Sequence, residues 1–307
     1  MKTPVLLITF NRPTYTQKVL DALKDAKVSH LLIFKDGPRP NNQSDYKASK
    51  AIENMIDLID WPCEIKTNFM NNNLGCGFGP YSAISWAFQY TDRLIILEDD
   101  CVPSTSFFAY CDYLLEKYKD DKRIRHISGF SPISNVKIFD KYDYIFTQYA
   151  HTWGWATWKR VWDNIDIQQR PVKSFFKNGG FNGQFLSKAE DKFFNKVYWS
   201  RESSIKESMH SWDYQYAVQS KMNGALSIVP AKNLISNIGV IGTHATGHVP
   251  YYESYDDYKI TKEPKEIAMD SEYENINFKK ESNLGFKRYL KMFILLMRNK
   301  LFHNNEL

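Results

Sequence analysis

Short apolar runs alternate with helical patterns through the first hundred residues, and this alternation constrains the fold more than any other feature. Val5 to Phe10 reads as a buried strand, and so do Leu31 to Phe34, Cys63 to Lys66 and Leu94 to Leu97. Between them, Thr14 to Lys24, Tyr46 to Ile59 and Pro80 to Tyr90 read as helices, with Pro80 suited to a first turn. Strands separated by helices imply βαβ units, a mainly parallel sheet and helices on both faces. Ligands of such sheets sit beyond the carboxyl ends of the strands. That directs attention to Asn11-Arg12, to the turn Lys35-Asp36-Gly37-Pro38 and to Glu98-Asp99-Asp100, all of which follow strands directly.

After about residue 101 the pattern is less regular and more aromatic. Phe107 to Tyr118 reads as a helix, Arg125 to Ser128 as a strand and Trp155 to Trp162 as a helix with three tryptophans on one face. Trp212 to Met222 is another helix, stopped by Asn223-Gly224. A length of 307 residues allows one large domain or two small ones. With 43% hydrophobic and 24% charged residues, wholesale disorder and fibrous repeats are excluded. Cys63, Cys76, Cys101 and Cys111 lack Cys-x-x-Cys spacing, which argues against a zinc ribbon or disulfide scaffold and for reduced thiols.

The net charge is +5, and five cations between Gly285 and His303 (Lys287, Arg288, Lys291, Arg298, Lys300) account for all of it. A nucleic-acid binder carries its basic charge on the folded face, so no nucleic-acid partner is expected. Phe286, Tyr289, Leu290, Phe293, Ile294, Met297 and Leu301 share that stretch at helical spacing. A basic amphipathic helix there suits peripheral contact with an anionic membrane, or packing on the domain. The apolar run Pro4 to Phe10 is too short for a signal-peptide core, and no run approaches the roughly 20 residues that cross a bilayer. The chain reads as cytoplasmic, with possible peripheral attachment at the inner membrane face.

Three acids in succession where a buried strand ends repel one another. A hard divalent cation such as Mn²⁺ or Mg²⁺ offsets that repulsion, while the simpler reading is an acidic turn capping the next helix. Trp153-Gly154-Trp155 sits before the tryptophan-rich pattern, where a ring can lie flat against a sugar; core packing is the alternative. No Gly-x-x-x-x-Gly-Lys loop is present, and Gly75-Cys-Gly-Phe-Gly79 follows Asn71-Asn-Asn73 rather than an apolar strand, so neither a P-loop nor a dinucleotide fingerprint is read here.

The segment Leu94-Ile-Ile-Leu-Glu-Asp-Asp-Cys-Val-Pro-Ser104, followed by Phe107-Phe108-Ala-Tyr110, resembles the metal-binding segment of GT-A glycosyltransferases. In particular it resembles N-acetylglucosaminyltransferase I and its bacterial relatives. Val5 to Arg12, Phe34-Lys-Asp36, Asn73 to Pro80, Ile127-Ser-Gly129, Trp153-Gly-Trp155, Ser211-Trp-Asp213 and Gly239 to His248 agree in order, over roughly residues 4–250. The resemblance implies an α/β GT-A fold, a Rossmann-like nucleotide-binding sheet with helices on both faces that becomes mixed toward the acceptor side. It implies a catalytic domain over residues 1–250, its nucleotide-binding part about 1–100 and its acceptor part about 101–250, with a charged extension over 251–307.

The same resemblance implies that Asp100 binds Mn²⁺ (or Mg²⁺) at the donor diphosphate, that Asp99 contacts the ribose and Glu98 the transferred sugar, and that Arg12 and Asp36 hold the nucleotide, Asp36 at the base. Asp213 would be the base that deprotonates the acceptor hydroxyl, although Ser211 and Asp213 are also good helix-start chemistry. His244 or His248 would reach the diphosphate or the metal. The implied activity is inverting transfer from a nucleotide sugar, a UDP sugar foremost, to a glycan or lipid-linked glycan in bacterial surface polysaccharide (lipopolysaccharide or capsule) synthesis. The alternatives are a sugar-1-phosphate nucleotidyltransferase, whose Gly-rich basic loop after the first strand is replaced here by Thr9-Phe-Asn-Arg-Pro13, and a non-catalytic glycan- or nucleotide-binding module.

Overall fold

The computed structural model describes residues 2–168, 170–204, 212–239, 252–280 and 282. The chain begins β1 (Val5–Thr9), α1 (Pro13–Asp25), β2 (His30–Lys35), α2 (Gln43–Asp57), β3 (Glu64–Phe69), α3 (Gly75–Ala87) and β4 (Arg93–Glu98). It continues with β5 (Cys101–Pro103), α4 (Thr105–Lys117), β6 (Ile124–Ser128), β7 (Tyr144–Thr147), β8 (Trp155–Trp158) and α5 (Lys159–Trp162). Then follow α6 (Arg170–Lys177), α7 (Lys188–Ser204), α8 (Trp212–Met222), β9 (Leu226–Pro230) and β10 (Ile235–Asn237), with a last helix over residues 271–280.

Eight strands form one sheet in the order β3-β2-β1-β4-β8-β6-β9-β7. The first four are parallel, β8 is antiparallel to both β4 and β6, β9 is parallel to β6, and β7 is antiparallel to β9. The fold is α/β, a large mixed sheet flanked by helices. Val5, Leu6, Leu7, Ile33, Phe34, Leu94, Ile95 and Leu97 are inaccessible to solvent, as expected of strands covered on both faces.

The topology fixes where a ligand would sit. The chain runs outward from β1 through β2 to β3, then crosses back to place β4 on the other side of β1. Right-handed crossovers therefore carry α3 on the opposite face from α1 and α2. The strand order reverses between β1 and β4, and a crevice opens beyond their carboxyl ends.

Two expectations about elements are corrected. Helix α3 begins at Gly75, five residues earlier than the apolar spacing predicts, so Pro80 lies inside it and the glycine run forms its first turns. Residues 155–162 are not one helix. Trp155–Trp158 is a fully buried strand between β4 and β6, and only Lys159–Trp162 is helical. Aromatic and β-branched residues pack well on a pleated surface, and this preference overrides the helical spacing of the tryptophans.

A second, aromatic core joins α6, α7 and α8 through Val172, Phe181, Phe194, Tyr198 and Val218. The edge strand β7 is covered by the chain beyond residue 252. Met269 bridges to Phe146, the Asp143 carboxylate accepts from the Thr261 and Lys262 amides, and Tyr273 is buried. An edge covered this way offers no free ladder to another chain.

Candidate functional site

Two of the predicted residues, Asp99 and Asp100, converge on Arg12 in the crevice. Arg12 is the N-cap of α1, with Pro13 at the first helical position, and its side chain makes no cap bond, which leaves the guanidinium to cross to the end of β4. There Nη1 donates to Asp100 Oδ2 at 2.7 Å, Nε donates to Asp99 Oδ2 at 3.3 Å, and Nη2 donates to Asp99 Oδ1. The two carboxylates hold the Arg12 pKa above its ordinary value despite burial. Asp99 is 3% exposed. Burial raises its carboxyl to about 6 against the pull of Arg12. Each of its oxygens accepts from Arg12, so in this arrangement Asp99 positions the cation.

Glu98 is the last residue of β4 and half-buried. Burial first, then the charges of Asp100, Asp213 and Asp99, push its carboxyl up to about 8. The Trp212 indole Nε1 donates to Glu98 Oε1 at 3.4 Å, which brings the head of α8 to the acids. Asp213, next in that helix, is exposed, and its charge is felt by both Glu98 and the Cys76 thiol of α3. Asp213 thus belongs to the same crevice. Ser211 lies outside the described residues.

Asp100 is held from the other side. The antiparallel pair β5 and β10 sets Asn237 opposite Cys101, and the Ile238 amide donates to the Asp100 carbonyl at 2.8 Å. Gly239 then passes so close that a Cβ there would collide with Asp100 Oδ2. Only glycine fits that approach. His244 and His248 lie outside the described residues.

Asp36 does not join the acids. Its Oδ1 accepts from the Gly37 and Leu74 amides, both at 2.8 Å, and its Oδ2 accepts from Asn73 Nδ2 at 2.9 Å and the Gly75 amide at 3.0 Å. A carboxylate has about four lone-pair sites, so the expected contact with a nucleobase has no acceptor left. Asp36 instead caps α3 from the neighbouring strand end, since Leu74 at the N-cap supplies no side-chain bond. Burial pushes its carboxyl upward, opposed by those amides.

The tryptophans also divide. Trp155 is 1% exposed, stacked between His126 at 4.9 Å and Trp212 at 5.6 Å, so it is core and cannot carry a sugar. Gly154, at φ +60°, turns the chain sharply enough to put the two neighbouring rings in different environments. Trp153 is half-buried against Phe130, ring centres 4.5 Å apart, and keeps an accessible surface.

Among the described residues, no group of three or more His, Cys, Asp and Glu is placed to hold a metal, and no helix is long and apolar enough to cross a membrane. The acids do fit a hard cation bound by one carboxylate, water and ligand oxygens, the habit of Mg²⁺ and Mn²⁺. Their crowding, visible in the raised Glu98 and Asp99, is what such a cation relieves. Sequence reasoning missed Asn73 as the partner of Asp36, Gly239 as the wall behind Asp100 and the Trp212 bond to Glu98. The Asn71-Asn-Asn73 run was the visible sign of the first; nothing local marks the others.

The molecule is an open α/β sheet with an acidic, arginine-bridged crevice at its switch point. No protein-family model and no curated protein sequence matches the chain. Solved structures similar in shape include a cytidylyltransferase from Leptospira borgpetersenii at 11% identity and TM-score 0.33, covering 73% of this chain and 96% of that one. They also include a 4-diphosphocytidyl-2C-methyl-D-erythritol synthase from Anaerococcus prevotii at 12% identity and TM-score 0.35, covering 65% and 97%. A UDP-glucose pyrophosphorylase complexed with UDP-glucose matches at 12% identity and TM-score 0.28, covering 53% and 71%.

Proposed function

We propose that the chain is a metal-dependent, inverting glycosyltransferase that moves a sugar from a nucleotide sugar, a UDP sugar foremost, onto a glycan hydroxyl. The observation that carries this reading is the meeting of Arg12, Glu98, Asp99 and Asp100 with the head of α8 at the switch point. Asp100 would hold Mn²⁺ or Mg²⁺, which supplies neutralisation of the charge left on the diphosphate. Asp99 keeps Arg12 turned into the crevice, where the guanidinium can pair with a phosphate oxygen. Glu98, whose carboxyl burial and the neighbouring acids push up to about 8, faces the same crevice and would contact the transferred sugar. Asp213, exposed beside it, takes the proton of the acceptor hydroxyl while that oxygen bonds the anomeric carbon and the bond to the diphosphate breaks. Trp153 is the remaining surface for a sugar ring. We place the acceptor among glycans or lipid-linked glycans of a bacterial surface polysaccharide, reached at the inner membrane face through the basic stretch 286–301.

A second reading is a nucleotidyltransferase that joins a sugar 1-phosphate to a nucleotide. One experiment decides between them. The protein is incubated with Mn²⁺ and a panel of UDP sugars while UDP release is followed, and separately with UTP and sugar 1-phosphates while pyrophosphate is followed. Our reading expects UDP release that Asp100→Ala abolishes. Pyrophosphate release without UDP release would replace it with the second.

A further inference from the structure

A cavity of about 530 Å³ lies away from the acidic crevice. It is lined by three cations, Lys122, Arg125 and Arg160, and by no acid. Arg125 is the second residue of β6, which runs parallel to β4, so it sits at the amino end of the strands while Asp100 lies beyond their carboxyl ends. Helix α8 spans the two places. Trp212 at its head touches Glu98, and Met222 at its foot lines the cavity, about 15 Å along the axis at 1.5 Å per residue.

The charge of Arg125 in this cavity is not balanced by a described carboxylate. Arg125 is only 7% exposed, and the one hydrogen bond of its guanidinium among the described residues is Nη1 to the Gln219 carbonyl at 3.4 Å. No described carboxylate pairs with it, and burial lowers its pKa. Arg160 gives Nε and Nη2 to the carbonyls of Lys119, Tyr118, Asp121 and Ile124, which leaves Nη1 without a described partner. The two guanidinium groups repel each other, while the charges of Asp121 and Asp120 reach Arg160 and offset its own. The nearby acids are engaged: both Asp121 oxygens accept from Arg123, and the Asp166 oxygens accept from Arg170 and the Gln168 amide. A buried cation without a counter-charge is costly, so a fold that keeps Arg125 here has a place for an anion from outside.

The rest of the lining narrows the ligand. Asn164 and Asn223 donate Nδ2 to the carbonyls of Arg160 and Gln219, which leaves their Oδ1 atoms as acceptors for hydroxyl groups. Val161, Pro171 and Met222 supply apolar wall. Oxyanion recognition by guanidinium groups, hydroxyl acceptors and an apolar face suit one chemical class. We propose that this cavity binds an anionic saccharide, its phosphate or carboxylate between Arg125 and Arg160 with Lys122 at the mouth and its hydroxyls on Asn164 and Asn223.

The test is calorimetry on the full chain at low salt with glucose 6-phosphate, glucuronate, inorganic phosphate and neutral glucose. One of the two charged sugars binds, and which one tells a phosphate from a carboxylate site. Inorganic phosphate binds at least tenfold more weakly, and glucose does not bind. Arg125→Met weakens binding at least tenfold, and Lys122→Gln, an exposed position, weakens it severalfold and flattens its salt dependence. Asp100→Ala leaves binding unchanged, which separates this site from the donor crevice. Failure of both charged sugars to bind, equal binding of phosphate or glucose, or unchanged binding in Lys122→Gln would each overturn the proposal. So would loss of binding in Asp100→Ala. Should Arg125→Met fail to fold, the Lys122→Gln comparison decides alone.

Discussion

His126 should give the protein a defined weakness to acid. The ring is 1% exposed, stacked on Trp155, with Nε2 at 2.9 Å from the His151 carbonyl. Burial lowers its pKa from 6.5 to about 4. The native state therefore binds fewer protons than the unfolded chain between these values. The stability this ring supports is complete above pH 6.5 and is lost as pH falls toward 4. Linkage puts the loss from this one residue at about 2 kcal/mol by pH 5 and about 3 kcal/mol by pH 4, relative to pH 7.5. His126→Phe keeps a flat ring against Trp155 and cannot be protonated. The His151 carbonyl keeps a donor in Ser128 Oγ at 3.0 Å, but the bonds of Nε2 to that carbonyl and of Nδ1 to the Tyr216 hydroxyl (3.3 Å) are both lost, so at pH 7.5 the variant should lose about 1 to 2 kcal/mol. Urea titrations at pH 7.5, 5 and 4 should show the two stability curves crossing, with the variant the more stable by about 1 to 2 kcal/mol at pH 4. Curves that stay parallel, or a wild type that keeps its lead at pH 4, would refute the burial of a neutral ring at this position.

Three further outcomes follow from the crevice. Asp36→Ala strips the acceptor from three amides and Asn73, and should cost about 3 kcal/mol or more in urea unfolding; a fully stable variant with impaired UDP binding would return Asp36 to the nucleotide. Asp213→Asn should bind UDP with Mn²⁺ as the wild type does in calorimetry yet lose sugar transfer by 100-fold or more, on the order of general-base effects, and equal loss of both would remove it as base. Gly239→Ala forces a Cβ onto Asp100, so Mn²⁺-dependent UDP binding should weaken while stability falls by about 1 to 3 kcal/mol, the usual cost of overpacking. Unaltered binding in that variant would mean that the chain beyond β10 yields more easily than its contacts imply.

Much of the fold was legible because burial writes itself into composition. The strands β1, β2 and β4 are continuous apolar runs, and α1 and α2 carry their buried residues at helical spacing, so the parallel half was read with ends shifted by a few residues. The other half was harder. Strand β8 holds two of the three tryptophans that also fit a helix face, and its pairing with both β4 and β6 is a long-range fact that no local window contains. Helix α3 was read late because its first turn is glycine-rich, and the residue that stabilises that turn, Asp36, is 39 positions before Gly75.

The site was legible as a place and only partly as a set of roles. The rule that ligands gather beyond strand ends selected Arg12, Asp36 and the three acids together. Once folded, these residues differ by how many of their hydrogen-bonding positions the protein itself fills. Asp36 has none left, Asp99 has given both oxygens to Arg12, and Asp100 still has capacity beside its single bond to that guanidinium. Residue type says what a side chain is able to bind; the partners already bound say what it has left, and all of those partners but the Gly37 amide come from 37 to 88 positions away. The same accounting picks out Arg125. In the sequence it is one cation in a short strand, and only the missing counter-charge around it makes it a candidate binding group. Buried polar groups whose capacity the fold leaves unfilled are therefore the ones to test first, whether or not a motif points to them.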